Sequence, residues 1–265
     1  MIRLENIKKI FNAGTINENL AIKNLNLEIN QGDFITVIGS NGAGKSTMLN
    51  LVAGFLKPDG GSIMFNDKDI TKVPEYVRAK HIGVVFQDPL SGTAKSLSIE
   101  ENMAIAAKRG KKRWLSKGVN SENRKYFAKQ LEELGLGLDK RLKTNAGLLS
   151  GGQRQSLTLL MAAMANPEIL LLDEHTAALD PKTAELVMTL TDKLVKDLNL
   201  TAMMVTHNMK QAIDYGNRII MMHGGEIVLD IKGKEKDGLE IPDLLGMFEK
   251  VRGEGLADDK LLLSK

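Results

Sequence analysis

Cysteine is missing altogether from this chain of 265 residues, which excludes a disulfide framework and any thiolate metal site. There is no run of the roughly 18 apolar residues needed to cross a bilayer. The opening Met1-Ile2-Arg3-Leu4-Glu5-Asn6 has no signal-peptide pattern, so work at a membrane would go through another chain. The net charge is only +3, which does not argue for nucleic acid, since such binders concentrate their basic residues. Solenoid-length repeats and sustained heptads are lacking too. What remains is ordinary: 43% hydrophobic and 26% charged residues, enough for one large domain or two small lobes, and too apolar for disorder.

Strand and helix patterns alternate along the chain, which predicts an α/β sheet. Ile2 to Ile10 reads as one strand, and Leu25, Leu27 and Ile29 alternate with polar residues in a second. After the turn Gln31-Gly32-Asp33, Phe34 to Ile38 is a short buried strand, with a helix predicted from near Lys45. Ile82 to Phe86, Ile169 to Asp173, Ala202 to Thr206 and Arg218 to Met222 are further strands, the last turning through His223-Gly224-Gly225-Glu226 into Ile227 to Leu229. From about Asp88 to Leu149 the β pattern is lost and helices are expected, opening on a capping box at Ser98-Ile99-Glu100-Glu101. Asp180-Pro181 reads as an N-cap and first helical residue.

Three motifs carry chemistry. Gly39-Ser40-Asn41-Gly42-Ala43-Gly44-Lys45-Ser46-Thr47 matches the P-loop, between a predicted strand and helix as that motif requires. Its backbone N–H groups and the helix N-terminus would cradle phosphates. Lys45 would reach the β and γ phosphates, Ser46 would offer a hydroxyl to Mg²⁺, and Thr47 would help hold the phosphates. The run Leu170-Leu171-Leu172-Asp173-Glu174 places Asp173 at a buried strand end, where a carboxylate holds Mg²⁺. Glu174 could polarise the attacking water as general base. Leu149-Ser150-Gly151-Gly152-Gln153 has two readings: a capping box of Ser150 with Gln153, or a second phosphate-binding helix N-terminus.

Together, and in this order, these motifs resemble those of ABC ATPases, whose signature motif corresponds to Leu149–Gln153. The resemblance runs from Ile2 to about Phe248 and implies a P-loop NTPase core of ABC ATPase type, with an N-terminal antiparallel β subdomain and a helical subdomain insertion. It divides the chain into one domain at 1–250, with 1–87 and 151–250 as catalytic core and β subdomain, 88–150 as helical subdomain, and 251–265 as a C-terminal tail. It also implies that Gln87 is the Q-loop glutamine contacting Mg²⁺, that Ala178-Leu179-Asp180 is the D-loop crossing a dimer interface, and that His207 is the switch histidine on the γ-phosphate. Phe11 stands where the family places an aromatic on adenine, although an aromatic at a strand end is commonly core. The family usually has Asp-Glu-Pro where this chain has Asp173-Glu174-His175. His175 is expected at the surface or an interface.

The resemblance is to ATP-binding subunits of bacterial binding-protein-dependent importers, in a subgroup paired with branched-chain-type permeases, some of which carry tryptophan or tyrosine. It implies ATP and Mg²⁺ as cofactors, a homodimer in the ATP-bound state and a separate integral-membrane permease. An extracytoplasmic substrate-binding protein and a place at the cytoplasmic face of the membrane follow from it, with no nucleic acid as partner. The alternative is a soluble ABC ATPase acting on nucleic acid or ribosomes, against which stand the missing heptads, cysteines and second nucleotide unit. A non-enzymatic module is opposed by Lys45 and Glu174 both being present. Lys108 to Lys117 is basic and, with Trp114, would suit either lipid headgroups or a solvated loop.

Overall fold

The computed structural model describes residues 1–111 and 118–252. Trp114 with its neighbours at 112–117, and residues 253–265 of the expected C-terminal tail, lie outside these. The chain divides into two compact units, 1–78 with 201–265, and 79–200.

The first unit opens with β1 (Ile2–Phe11), β2 (Asn19–Ile29), β3 (Phe34–Gly39), α1 (Lys45–Ala53), β4 (Gly60–Phe65), β5 (Lys68–Asp69) and α2 (Glu75–Arg78). The second unit holds β6 (Ile82–Val85), α3 (Ile99–Ala107), α4 (Ser121–Glu132), α5 (Gly151–Met164), β7 (Ile169–Asp173) and α6 (Pro181–Asp197). The chain then returns to the first unit with β8 (Thr201–Val205), α7 (Met209–Asp214), β9 (Arg218–His223), β10 (Glu226–Lys232) and α8 (Ile241–Arg252).

Two sheet segments build the first unit. One is antiparallel, in the order β2-β1-β4-β5. Ile2 faces Ile29 and Phe65, and Leu4 faces Leu27 and Ile63. These residues are buried while Arg3 and Glu5 stay exposed, the period-2 alternation of a half-buried strand. In the other, β3 runs parallel to both β8 and β9, and β10 closes a hairpin on β9. All six residues of β3 are buried, as a central parallel strand requires. Ile38, Met209, Ile219, Met221, Leu244 and Phe248 pack in one core beside it, so α8 is held by buried side chains. No helix is anticipated there from sequence, because the segment lies beyond the last motif.

Arg78 closes α1 from below. It is 3% exposed, and its guanidinium donates to the carbonyls of Leu51 and Val52 in the last turn of α1, and to those of Val73, Ile70 and Thr71. The bonds to Leu51 and Val52 serve carbonyls of the last turn of α1, where intrahelical partners run out.

In the second unit β6 and β7 pair in parallel from Ile82↔Ile169 to Val85↔Leu172. The expected strand at Ile82–Phe86 stops at Val85 because the Phe86 carbonyl accepts from Gln155 Nε2 on α5 (3.1 Å) instead. The capping box at Ser98 forms as expected, with Glu101 bonding back to the Ser98 N–H. Arg124 of α4 makes a two-pronged bond to Glu100 of α3 (2.6 and 2.9 Å). α5 is buried over most of its length, from Gln155 to Ala163. No helix among the described residues is long and apolar enough to cross a membrane.

Candidate nucleotide site

In the first unit, β3 delivers the P-loop and α1 ends it. Gly39 has φ +146°, and a Cβ there would lie 2.1 Å from the Met222 carbonyl oxygen. No other residue type fits so close to the β9 backbone. Gly44 caps α1 at φ +98°, again a position for glycine, and Asn41, Gly42 and Ala43 bridge the two. The hairpin turn after β9 backs the loop: Gly225 N–H donates to the Ala43 carbonyl (3.2 Å), and His223 Nδ1 lies 3.3 Å from Ser40 Oγ. Phe248 of α8 meets the His223 ring edge-on at 5.9 Å. That backing is not visible in the sequence, where His223 is only part of a turn.

Lys45 is 4% exposed. Its ammonium donates to the carbonyls of Gly39 (2.7 Å) and Ser40 (3.0 Å), which folds the side chain over the loop it belongs to. Ser46 and Thr47 stand half-buried in the first turn of α1, and that turn holds no acidic residue. The partial positive charge of the helix N-terminus is therefore not neutralised from within the turn. The donor set of backbone N–H groups, one ammonium and two hydroxyls suits a phosphate chain.

The switch-histidine candidate lies on the neighbouring strand. Val37 pairs with Val205, and Thr206 N–H donates to the Val37 carbonyl (3.0 Å), so His207 leaves β8 level with Gly39. Its neighbours are fixed: Thr206 Oγ1 bonds Gln211 Oε1 (2.8 Å), and Asn208 Oδ1 caps α7 at Gln211 N–H (3.0 Å). Phe11 ends β1 half-buried, with Lys9 Nζ 5.7 Å from its ring centre.

In the second unit, the parallel register brings the ends of β6 and β7 together. With Val85 opposite Leu172, Phe86 and Gln87 leave at the level of Asp173 and Glu174. Gln87 is exposed, and Asp173 and Glu174 are half-buried. Gln155, fully buried, ties this end of β6 to α5 through the Phe86 carbonyl, a contact that no motif announces.

Ser150 caps α5, accepting from Gln153 N–H, while Gln153 Oε1 accepts from Ser150 N–H. The capping-box reading of this motif is therefore real. Ser150 and Gly151 stay exposed, so the helix N-terminus remains accessible. Gly152 has a further duty: a Cβ there would lie 2.0 Å from Thr183 Cγ2, so α6 can cross only against a glycine. Asp180 caps α6 at Thr183 N–H (3.1 Å), and its hydrogen bonds to Thr183 hold its carboxyl below the usual range.

One expectation is overturned. His175 is 2% exposed, neither a surface nor an interface residue. Its Nε2 lies 3.0 Å from Thr191 Oγ1 on α6. The Thr191 hydroxyl donates to the Val187 carbonyl (2.8 Å), so the imidazole must supply the other proton, and Nε2 carries the hydrogen. Burial pushes the His175 pKa down to about 4, and the ring is neutral at pH 7.

Among the described residues no group of three or more His, Asp or Glu side chains is placed to hold a metal ion. Mg²⁺ bound largely through nucleotide phosphates and water needs only one or two protein oxygens. Ser46, Gln87 and Asp173, the residues expected to meet Mg²⁺, each carry a side-chain oxygen.

Comparison with known proteins places the chain. A family model described as "ABC transporter" matches residues 22–177. The tyrosine transport ATP-binding protein of Clostridioides difficile is 45% identical over 249 residues, covering 94% of this chain and 99% of that protein. An energy-coupling factor transporter ATP-binding protein of Clostridium tetani is 32% identical, covering 96% and 90%. Among solved structures, an ATP-binding cassette in a dimeric, post-hydrolysis state bound to ADP and Pi superposes with a TM-score of 0.76 at 32% identity, covering 88% of this chain and 98% of that one. An ATP-binding cassette of an ABC transporter in its ADP conformation gives 0.73 at 28% identity, covering 94% and 98%. The fold is accordingly a P-loop ABC-ATPase core with an N-terminal antiparallel β subdomain and a helical insertion. With the glycine loop, the lysine folded over it and the second capped glycine motif all in place, the chain belongs to the ABC transporter family as one of its ATP-binding, ATP-hydrolysing domains.

Proposed function

We propose that this chain is the ATP-binding subunit of an importer for a small solute, an amino acid of the aromatic or branched-chain kind, and that it powers a separate membrane permease from the cytoplasmic face. Two copies would act head to tail, with a substrate-binding protein outside the membrane and no nucleic acid involved. The observation that carries the nucleotide part of this reading is the P-loop: a buried Lys45 over its own glycine loop, at a helix N-terminus free of acidic residues. The 45% identity to a tyrosine transport protein supports the cargo class, and the dimeric relative supports the pairing.

In this mechanism the loop from Gly39 to Gly44, with Lys45 and Thr47, holds the phosphate chain, and Phe11 stacks on adenine. Ser46, Gln87 and Asp173 would hold Mg²⁺, which would supply positive charge to neutralise the phosphates. Glu174 accepts a proton from the attacking water as its oxygen bonds to the γ phosphorus and the bond to the bridging oxygen breaks. His207 contacts the γ-phosphate, and Ser150, Gly151, Gly152 and Gln153 of the second copy grip the nucleotide from the far side, with Asp180 at the crossing.

Glu174→Gln keeps the shape of the side chain and removes the base. The purified variant should hydrolyse ATP at least about 100-fold more slowly while still binding it. A strain carrying it should take up labelled tyrosine no better than one lacking the chain. Equal hydrolysis by variant and parent would remove Glu174 from its role. Undiminished tyrosine uptake beside slowed hydrolysis would remove the cargo assignment alone.

A further inference from the structure

Seven non-glycine residues among those described have positive φ: Asn6, Asn12, Asn66, Asp67, Asn166, Asn199 and Glu174. Six are Asn or Asp, whose short side chains tolerate the left-handed region by bonding their own backbone. Glu174, at φ +44°, is the exception. A glutamate has no such local compensation, so its surroundings must impose the conformation.

The surroundings supply one strong constraint. The next residue, His175, is buried, and its ring N–H is bonded to Thr191, in the third turn of α6. The acceptor is itself fixed, because the Thr191 hydroxyl is committed to the Val187 carbonyl of the same helix. Thr191, Val187 and Val195 all lie on the buried face of α6, so the anchor is a rigid element. On the far side of Glu174, β7 ends at Asp173, and the Glu174 carbonyl accepts from Ala177 N–H (2.9 Å). The backbone of Glu174 is thus held between a buried strand and a side-chain strap to a helix.

We propose that His175 is a positioning residue for Glu174: its hydrogen bond to Thr191 holds the turn after β7 in the left-handed conformation from which the Glu174 carboxylate reaches its water. The proposal rests on the reading of Glu174 as general base. It acts on orientation alone, so it governs turnover and leaves nucleotide binding untouched.

The test compares the full chain with Thr191→Val, His175→Leu, the double variant and His175→Gln. Each is assayed for kcat, KM, ATP affinity without Mg²⁺ and melting temperature, at a protein concentration where the rate per chain is constant. Thr191→Val removes the acceptor with little change in volume. It should lower kcat about 10-fold, in keeping with the cost of misplacing a catalytic group by a fraction of an ångström, with KM and ATP affinity within two-fold of the parent. In the double variant no buried N–H is left unpaired, so the melting temperature should recover relative to Thr191→Val while kcat stays low. His175→Gln keeps an N–H donor and should retain most of the turnover. Parental kcat in Thr191→Val, or kcat that recovers with melting temperature in the double variant, would overturn the strap and assign the pair to stability alone. If His175→Leu does not fold, Thr191→Val and His175→Gln decide the matter by themselves. Glu174→Gln in the parent keeps the two readings apart. Loss there with unchanged Thr191→Val removes only the strap, and no loss there removes both.

Discussion

At the scale of single residues, a buried guanidinium bonded to no carboxylate, with Asp69 acting on it only through space, is the most consequential feature outside the nucleotide site. Arg78 bonds five carbonyls and no carboxylate, and burial pulls its pKa down from the ordinary arginine value. That cost is offset by five hydrogen bonds, two of them to carbonyls that also accept from the backbone, Leu51 from Gly54 N–H (3.3 Å) and Ile70 from Val73 N–H (2.9 Å). Arg78→Met keeps much of the stem and strips the donors, leaving the buried Val52 carbonyl without its guanidinium partner. The expected loss is about 3 kcal/mol, a drop of several degrees in melting temperature for a chain of this size. A loss below about 1 kcal/mol in denaturant titration would mean that water replaces the guanidinium at no cost. None of this is legible from the sequence, in which Arg78 belongs to no motif. His175 is the same lesson in the active region. Its partner Thr191 is sixteen positions away, and only the packing of α6 decides whether the ring is inside or out. By contrast the loop of Gly39 and Lys45 was legible, because a phosphate-loop motif dictates residue type at fixed local spacing.

At the scale of elements, the helix starts that carry a capping signal were legible. Ser98 and Ser150 cap their helices through the capping boxes read for them, and Asp180 is the N-cap of α6 ahead of Pro181, since capping is a contact over three residues and the sequence contains both partners. What joins the helices was hidden. Glu100 of α3 and Arg124 of α4 form a pair across the helical insertion, with Arg124 the main reason that the Glu100 carboxyl sits below its ordinary value. The sign of the pH effect follows. A carboxyl whose pKa is lower folded than unfolded adds stability that is fully present above the unfolded value, about 4.3. That stability is lost as pH falls through the folded value. The stability difference between the parent and Arg124→Met should therefore be flat from pH 7 to about 5.5 and shrink steadily below about 4.5. Chemical denaturation at a series of pH values measures it. A difference that persists unchanged at pH 3 would show that Arg124 contributes through packing of its stem and not through its charge.

At the scale of the whole molecule, the exposed N-terminus of α5 has a consequence for how the rate depends on concentration. Ser150 and Gly151 are accessible, and the hydroxyl of Ser150 is already engaged in its own cap. What the motif can offer a phosphate is thus the accessible end of a helix, a surface for a ligand brought from outside. If that ligand is the nucleotide held by Lys45 of a second copy, neither copy hydrolyses ATP alone. In the dilute limit the active species is then a dimer in equilibrium with monomers, and its amount rises with the square of total protein. Total activity at saturating ATP and Mg²⁺ should climb with a slope of about two on logarithmic axes, bending to about one once dimers dominate. Substituting the grip should shift that behaviour in a defined way. Ser150→Arg leaves the P-loop intact but places a bulky cation where the second copy must close, so ATP affinity of the monomer should be kept while activity falls at every concentration. Mixing it with Lys45→Ala then separates the two halves of a shared site. Each variant alone is inactive at both of its sites, whereas a mixed dimer restores one intact Lys45 facing one intact Ser150. Measurable activity on mixing two inactive proteins, approaching a quarter of the parental rate at equal amounts, is the expected outcome. Strict proportionality to protein concentration together with no complementation on mixing would mean that each chain completes its own site.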